Sequence, residues 1–515
     1  MDQSSVLTGA EVLEGLRWIT PEILLGGFIL VIILADLTGM KKGTVGVLAL
    51  GGLLAAGLLT VAYLRSYPAA PGFASREGTG VAPSTLFGSA YAVDAYSFFF
   101  KAMFLAAAFL AGAFSIPAIR EWRTGKGEYF ALLLSCTFGM MLMSSANDLL
   151  MMYLSLEFVS VTSYIMAGLL RKNRKSAEAS LKYIIYGAAA SGMMVYGMTF
   201  LYGLTGTLEV GKLGEEMARL NVPPTMTLIT SVLIMAGFAY KIAAVPFHMW
   251  CPDVYEGAPT PVTAFFSVGP KAAGFAMLAR FLLGAYPSEG GPFEWKLVIA
   301  LLAVMTMAVG NFAALQQQNL KRLLAYSSIA HAGYLLIAFN AFTPESTAAL
   351  LVYLFVYVLM NLGAFLVVLV LEEKYGVDTV DGCRGLGWRA PGLGALMTVF
   401  MIALTGLPPT AGFTGKFLVF GTVVQYGVSH ERALGIALVV IGVLFSVISL
   451  FYYMRVVAAM YLGKPRDVER PAGGTGVVYG TLLWIFALGT VLFGVWWGPL
   501  QEAAKTAADS LYRRP

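Results

Sequence analysis

Apolar stretches of about 20 residues, the length a helix needs to cross a bilayer, recur along the whole chain. They fall near 20–38, 45–64, 95–118, 129–147, 149–170, 182–204, 225–251, 261–285, 296–316, 321–343, 346–372, 391–424, 433–462 and 475–500. Inside hydrocarbon every backbone N–H and C=O must find its partner within the protein, so only helices and closed barrels can span it. The run lengths, with no period-2 alternation, select helices. The sequence therefore predicts an all-α, polytopic integral membrane protein with about 14 transmembrane helices.

Charge supports this reading. Only 12% of the 515 residues are charged, roughly half the ~25% of a soluble domain. Asp2, Glu11 and Glu14 precede the first run and no basic region does, so that run is expected to be a retained span and not a cleaved leader. The net charge of +5 is spread over short loops, which argues against a nucleic-acid partner. Loops after odd-numbered runs carry more lysine and arginine than the others, "LLRKNRKSAEASLK" most of all. By the positive-inside rule the first loop is then cytoplasmic and both termini face outward. The largest loop, roughly 65–94, is too short and too rich in Gly, Pro and Ala to fold alone.

Redox and nucleotide chemistry find little support. Cys136, Cys251 and Cys383 are far apart, and iron–sulfur clusters usually need four thiolates. Of His248, His331 and His430, the last falls in a loop, which disfavours an axial haem pair. No glycine-rich nucleotide loop follows a strand, and no strands are expected. No cofactor or metal is expected in the chain, and its chemistry should use protons or ions.

Ionisable residues inside the spans carry that chemistry. Glu157 lies mid-way in the fifth run, Lys241 in the seventh, Lys271 in the eighth and Lys416 in the twelfth. Each costs about 2.5–3.5 kcal/mol at a helix centre. Snorkelling from helix ends could account for Lys101, Lys182, Arg280 or Arg455, but not for Glu157 and Lys241. A buried lysine loses its proton readily and a nearby carboxylate restores it, whereas arginine does not deprotonate. Such lysines on several helices make a proton wire with a switch.

Pro246 interrupts the seventh run just after Lys241, and Pro408, Pro409, Gly412 and Gly415 interrupt the twelfth just before Lys416. Non-helical backbone at membrane depth is tolerated only inside protein or beside a watery cavity, and transporters place broken helices at their ion sites. Interrupted runs five apart suggest a five-helix unit used twice, and the odd number inverts the second copy. His248 could relay protons or be a hydrogen-bonded residue at a helix end. His331, near Ser327 and Ser328, could be a wire segment or an interhelical hydrogen bond.

These residues carry a family resemblance. The stretch "KIAAVPFHMWCPDVYEGAPTPVTAFFSVGPKAAGFA" resembles the seventh and eighth helices of the antiporter-like membrane subunits of respiratory complex I, the proton-pumping NADH:quinone oxidoreductase. "PDVYEGAPTP" is most similar to the N-type subunit, and "QQQNLKRLLAYSSIAHAGYLL" and "LTGLPPTAGFTGKFLVF" fit it too. Lys416 stands where the M-type subunit has glutamate, and the long lateral helix of the L-type subunit is not expected. The resemblance implies N-terminal helices over 1–128, inverted five-helix repeats over 129–285 and 296–462, and a last helix and tail over 475–515. It also implies a half-channel in each repeat, with Glu157 and Lys241 as a modulating pair, Lys271 as the connecting lysine and Lys416 as the terminal one. Lys182 and His248 match polar positions of that family.

NADH, FMN, iron–sulfur clusters and quinone would belong to partner subunits. The expected partners are other membrane and peripheral subunits of complex I, neighbouring antiporter-like chains among them, and lipid of a bacterial inner membrane. Three rivals stay open: a subunit of a multi-chain sodium/proton antiporter, a purely structural membrane subunit, and a stand-alone transporter.

Overall fold

The computed structural model describes residues 15–66, 85–122, 125–286, 294–464 and 475–512. Asp2, Glu11 and Glu14, and residues 67–84 of the large loop, lie outside these ranges. In chain order the helices are α1 Thr20–Leu37, α2 Lys42–Ser66, α3 Ala95–Ala118, α4 Lys126–Ser145, α5 Leu149–Ala167, α6 Arg174–Thr205, α7 Val210–Arg219, α8 Pro224–Ile242, α9 Trp250–Gly257 and α10 Thr260–Ala285. They continue with α11 Trp295–Gln316, α12 Leu320–Ala341, α13 Pro344–Tyr375, α14 Leu386–Arg389, α15 Pro391–Thr405, α16 Ala411–Ser429, α17 Ala433–Leu462, α18 Val477–Val495 and α19 Gly498–Tyr512. Among the described residues 13 helices are long and apolar enough to cross a membrane. The span expected over 391–424 is split into α15 and α16, and α15 by itself is only 15 residues long.

Helix starts are set by capping. Asp94 accepts from Ser97 N at 2.7 Å and starts α3, while Asp148 accepts from Met151 N at 2.6 Å and starts α5. Thr343 forms a capping box with Ser346 ahead of α13, with Pro344 at its first position. The helix expected over 182–204 starts at Arg174, and the tail expected after the last span forms α19. Charge hides both ends, because hydropathy marks where a helix meets water and not where it stops. The expected absence of strands is corrected by a short hairpin, Thr85–Leu86 with Tyr91–Ala92, docked on the end of α4 through a Tyr91–Ala146 bridge.

The centre of the molecule is α10, buried along its whole length, with α12 and α13 beside it. By contrast α1 and α17 are mostly exposed and form the rim. One face carries the basic loops beside Lys42, Lys175 and Lys321. On the opposite face α19 is pinned to the starts of α3 and α13 by Tyr96 N to Ser510 Oγ at 3.0 Å and Thr347 to Tyr512 at 3.0 Å.

Candidate functional site

Two helices break in mid-course. The α8 helix stops at Ile242, where Ala243 takes a left-handed φ of +57°, and the chain passes Pro246 before resuming as α9. Trp250 Nε1 donates to Tyr240 O at 3.0 Å, an oxygen that also accepts from Ala243 N at 3.1 Å, and so ties α9 back to the end of α8. Val245 N donates to Thr306 Oγ1 of α11 at 3.0 Å. The second break lies between Thr405 and Ala411 and turns on Gly406 at φ +88°. Both interruptions read from the prolines are therefore present, although the run expected over 225–251 ends as a helix at 242.

A buried lysine sits at each break. Lys241 is 1% exposed and in the last turn of α8. Its Nζ donates to Ser160 Oγ of α5 at 3.0 Å, and Ser160 in turn donates to Leu156 O at 2.7 Å. Ser160 follows Glu157 by three residues, hence on the same helix face. Glu157 Oε1 is buried without a hydrogen-bond partner, and no ion pair joins Glu157 to Lys241 among the described residues. Gly274 makes this packing possible, since a Cβ there would lie 2.8 Å from Ile242 Cγ2 and 3.3 Å from Lys241 Cγ. At the second break Lys416 Nζ donates to Thr405 O at 2.8 Å and lies 4.5 Å from the centre of the Tyr334 ring.

Between the breaks runs a line of polar groups. Lys271 Nζ donates to Ser328 Oγ at 2.5 Å. One turn along α12, His331 Nδ1 lies 2.8 Å from the Tyr353 hydroxyl and Nε2 3.2 Å from the Tyr453 hydroxyl. Tyr453 also meets Ser327 Oγ at 2.5 Å. Tyr353 packs on Gly415, the residue before Lys416, where a Cβ would come within 2.7 Å of its ring. Beyond Lys416, Asn311 Nδ2 donates to the Tyr334 hydroxyl at 3.1 Å and Tyr452 donates to Asn311 Oδ1 at 3.2 Å. His331 is thus held between two tyrosines, which fits both readings made of it. The sequence reading missed Ser160, Tyr353, Tyr453 and Asn311; the one available signal was a hydroxyl three residues from a buried charge.

Lys182 lies elsewhere. At the basic face it pairs with Asp253 at 2.7 Å and Glu178 at 2.9 Å. Arg322 meets Asp253 at 2.5 Å and Glu256 at 3.3 Å, and Lys175 meets Glu256 at 3.0 Å. The "PDVYEG" segment is thereby docked between α6 and α12. Burial alone would raise the Asp253 carboxyl, but hydrogen bonds from Lys182 and Arg322 outweigh it and hold it below the usual carboxylate range. Open cavities of about 320 and 190 Å³ flank this cluster. His248 lies in the α8–α9 break, 8% exposed, with Nδ1 buried and without a hydrogen-bond partner.

Snorkelling does not describe Lys101 or Arg280. Lys101 is fully buried against Glu22 at 2.9 Å, and Arg280 grips Asp94 at 2.8 and 3.1 Å. Arg455 reaches Leu315 O at 2.6 Å and also Gln317 O, at the end of α11. Among the described residues no group of three or more His, Cys, Asp or Glu could hold a metal ion.

Two broken helices with a buried lysine at each, around a fully buried central helix, make the architecture of an antiporter-like membrane subunit. The family described as "NADH:quinone oxidoreductase/Mrp antiporter, TM" matches residues 146–449, and the chain belongs to that family. It is 42% identical to NADH-quinone oxidoreductase subunit N 2 of Sorangium cellulosum, over 96% of this chain and 98% of that one. It is 40% identical to NADH-quinone oxidoreductase subunit N of Rhodospirillum rubrum, over 95% of this chain and 96% of that one. A chain of respiratory complex I from Thermus thermophilus with bound aureothin superposes with a TM-score of 0.76 at 30% identity, covering 94% of this chain and 98% of that one. A chain of the Mrp complex from Dietzia sp. DQ12-45-1b gives 0.81 at 20% identity, covering 97% and 98%, a likeness of fold alone.

Proposed function

We propose that this chain is the N-type membrane subunit of a bacterial proton-pumping NADH:quinone oxidoreductase and conducts protons along Lys241, Lys271, His331 and Lys416. The observation that carries the reading is the placement of buried lysines at both helix breaks, with a third lysine and a histidine between them. The repeats are taken as 129–285 and 296–462, the basic face as cytoplasmic and both termini as outer. Electron transfer from NADH through FMN and iron–sulfur clusters to quinone is assigned to partner subunits, and this chain contributes translocation only.

In this reading an ammonium at Lys241 is held by Ser160, beside the bare Glu157 oxygen. A shift of Glu157 toward or away from Lys241 changes how firmly that proton is held, because an opposite charge within about 4–6 Å favours the charged form. Released protons pass to Lys271, then through Ser328, His331 and Tyr353 toward Lys416. Hydroxyls both donate and accept, so they can hand a proton on without holding charge. The sodium/proton antiporter reading is supported by the Mrp half of the family description and a fold likeness at 20% identity, against 40–42% identity to the N subunits.

The test is Lys241→Ala in the intact complex. Assembly on a native gel, donor-driven quinone reduction and acidification of inverted vesicles are measured together. Normal assembly with reduced acidification supports the relay. Normal assembly, turnover and acidification would sink it, and a sodium requirement for transport would favour the antiporter.

A further inference from the structure

A second buried lysine–glutamate pair lies outside both five-helix units. Glu22 is in the first turn of α1 and Lys101 in the second turn of α3, with side chains 4% and 0% exposed. Lys101 Nζ lies 2.9 Å from Glu22 Oε1 and donates to the Tyr91 hydroxyl at 2.8 Å. Tyr91 donates to the same Glu22 oxygen at 2.6 Å. The Phe98 ring closes the other side, 4.8 Å from the ammonium.

The triangle is lopsided. Glu22 Oε1 takes both donors, while Oε2 is buried and has no hydrogen-bond partner. Ser145 Oγ, on the residue before the Tyr91–Ala146 bridge, is buried beside the Tyr91 hydroxyl. An ionised carboxylate accepts on both oxygens, and leaving an acceptor of a charged group bare in a buried site is costly. An orphaned carboxylate oxygen in a buried polar cluster marks a place for bound water or a proton. Adhesion alone explains the pair poorly, because apolar residues of similar volume serve as well as a buried ion pair. The next charged groups are Asp94 and Arg280, from the start of α3 and the end of α10. The helix that carries Lys271 therefore ends beside this cluster.

We propose that Glu22, Tyr91 and Lys101 form a further proton-holding site, in which Glu22 Oε2 takes a proton through bound water and releases it to the outer solution. The inference rests on the proton-conducting reading and on the orientation given above. In the step the Glu22 carboxylate becomes a neutral carboxyl and then returns the proton to water, while Lys101 stays charged throughout and no electrons move.

Four variants of the intact complex in inverted vesicles decide it: Glu22→Gln, Lys101→Arg, the double variant Glu22→Gln/Lys101→Met, and Lys241→Ala for comparison. Assembly, protons released per quinone reduced, and infrared carboxyl bands during turnover are recorded. Glu22→Gln preserves the amide's contacts to Tyr91 and Lys101, and is expected to assemble with fewer protons per quinone and one carboxyl band lost. Lys101→Arg keeps a charge against Glu22, and is expected to retain the band and the stoichiometry. Wild-type stoichiometry with an unchanged infrared spectrum in Glu22→Gln overturns the proposal. If Glu22→Gln fails to assemble, the double variant, which buries no charge, decides. Assembly with a lowered stoichiometry supports the site, whereas wild-type pumping or failed assembly makes the cluster a structural clasp and overturns it. Normal pumping by Lys241→Ala defeats the parent reading instead, so the two failures are distinguishable.

Discussion

Replacing Asp94 by alanine should unseat the contact between the N-terminal helices and the central helix α10. Asp94 accepts from Arg280 Nη1 at 2.8 Å and Nη2 at 3.1 Å and from Ser97 N at 2.7 Å, and Arg280 also donates to Ser144 O at 3.0 Å. The side chains of Arg280 and Asp94 are 5% and 10% exposed, so the loss strands a guanidinium away from water. Breaking such a pair from one side costs about 3–5 kcal/mol, and losing the helix cap about 1 more, so about 4–6 kcal/mol in all. The double variant Asp94→Leu/Arg280→Met removes both charges and should lose little beyond the cap. The assay is thermal dissociation of the detergent-extracted complex, with retention of this subunit followed on native gels. Burial raises the Asp94 carboxyl, but Arg280 and Ser97 outweigh it and hold it below its ordinary 3.8. A lowered carboxylate contributes stability that is fully present above its unfolded value and lost as pH falls through the folded one. The pair should therefore be indifferent to pH between about 5 and 8 and weaken only below 3.8. An Asp94→Ala complex that melts within about 1 kcal/mol of wild type would refute the reasoning.

Lys416→Arg can still reach Thr405 O but cannot give up its proton; the complex should assemble and lose acidification, as measured in inverted vesicles. Gly494→Ala places a Cβ 2.0 Å from Pro409 O and 2.5 Å from Thr410 C. Overpacking of about 1–3 kcal/mol should then lower the melting temperature and slow acidification with every charge in place. Lys182→Met removes two ion pairs of a lysine side chain that is 37% exposed, each worth about 0–1 kcal/mol. Its melting temperature should stay near wild type, and a large drop would show that the docked "PDVYEG" segment depends on it.

Much of the architecture was legible because hydrocarbon leaves the chain few options. The run lengths gave the helices, and Pro246 and the Pro408–Pro409 pair gave the two breaks. Glu157, Lys241, Lys271 and Lys416 stood out because charge is so expensive there. What stayed hidden depends on which helices touch. Nothing in the sequence pairs Tyr453 of α17 with His331 of α12, or Lys101 with a glutamate far earlier in the chain. Snorkelling could be offered for Lys101 and Arg280 because distance from a helix end was visible and the partner was not. Lys182 matched a polar position of the family by resemblance, and in the fold it sits in the surface cluster.

The bond from Lys416 to Thr405 crosses the gap between α15 and α16. With Lys416 protonated, it joins a cation to the end of a helix where the backbone carries about half a negative charge. A charged donor ties such a carbonyl about twice as strongly as a neutral amine. If Lys416 relays protons as proposed, the fastener across the hinge loosens as each proton leaves and tightens when the next arrives. The stiffness of the twelfth span then follows the occupancy of one nitrogen, so that carriage of charge and mechanical release share a single atom.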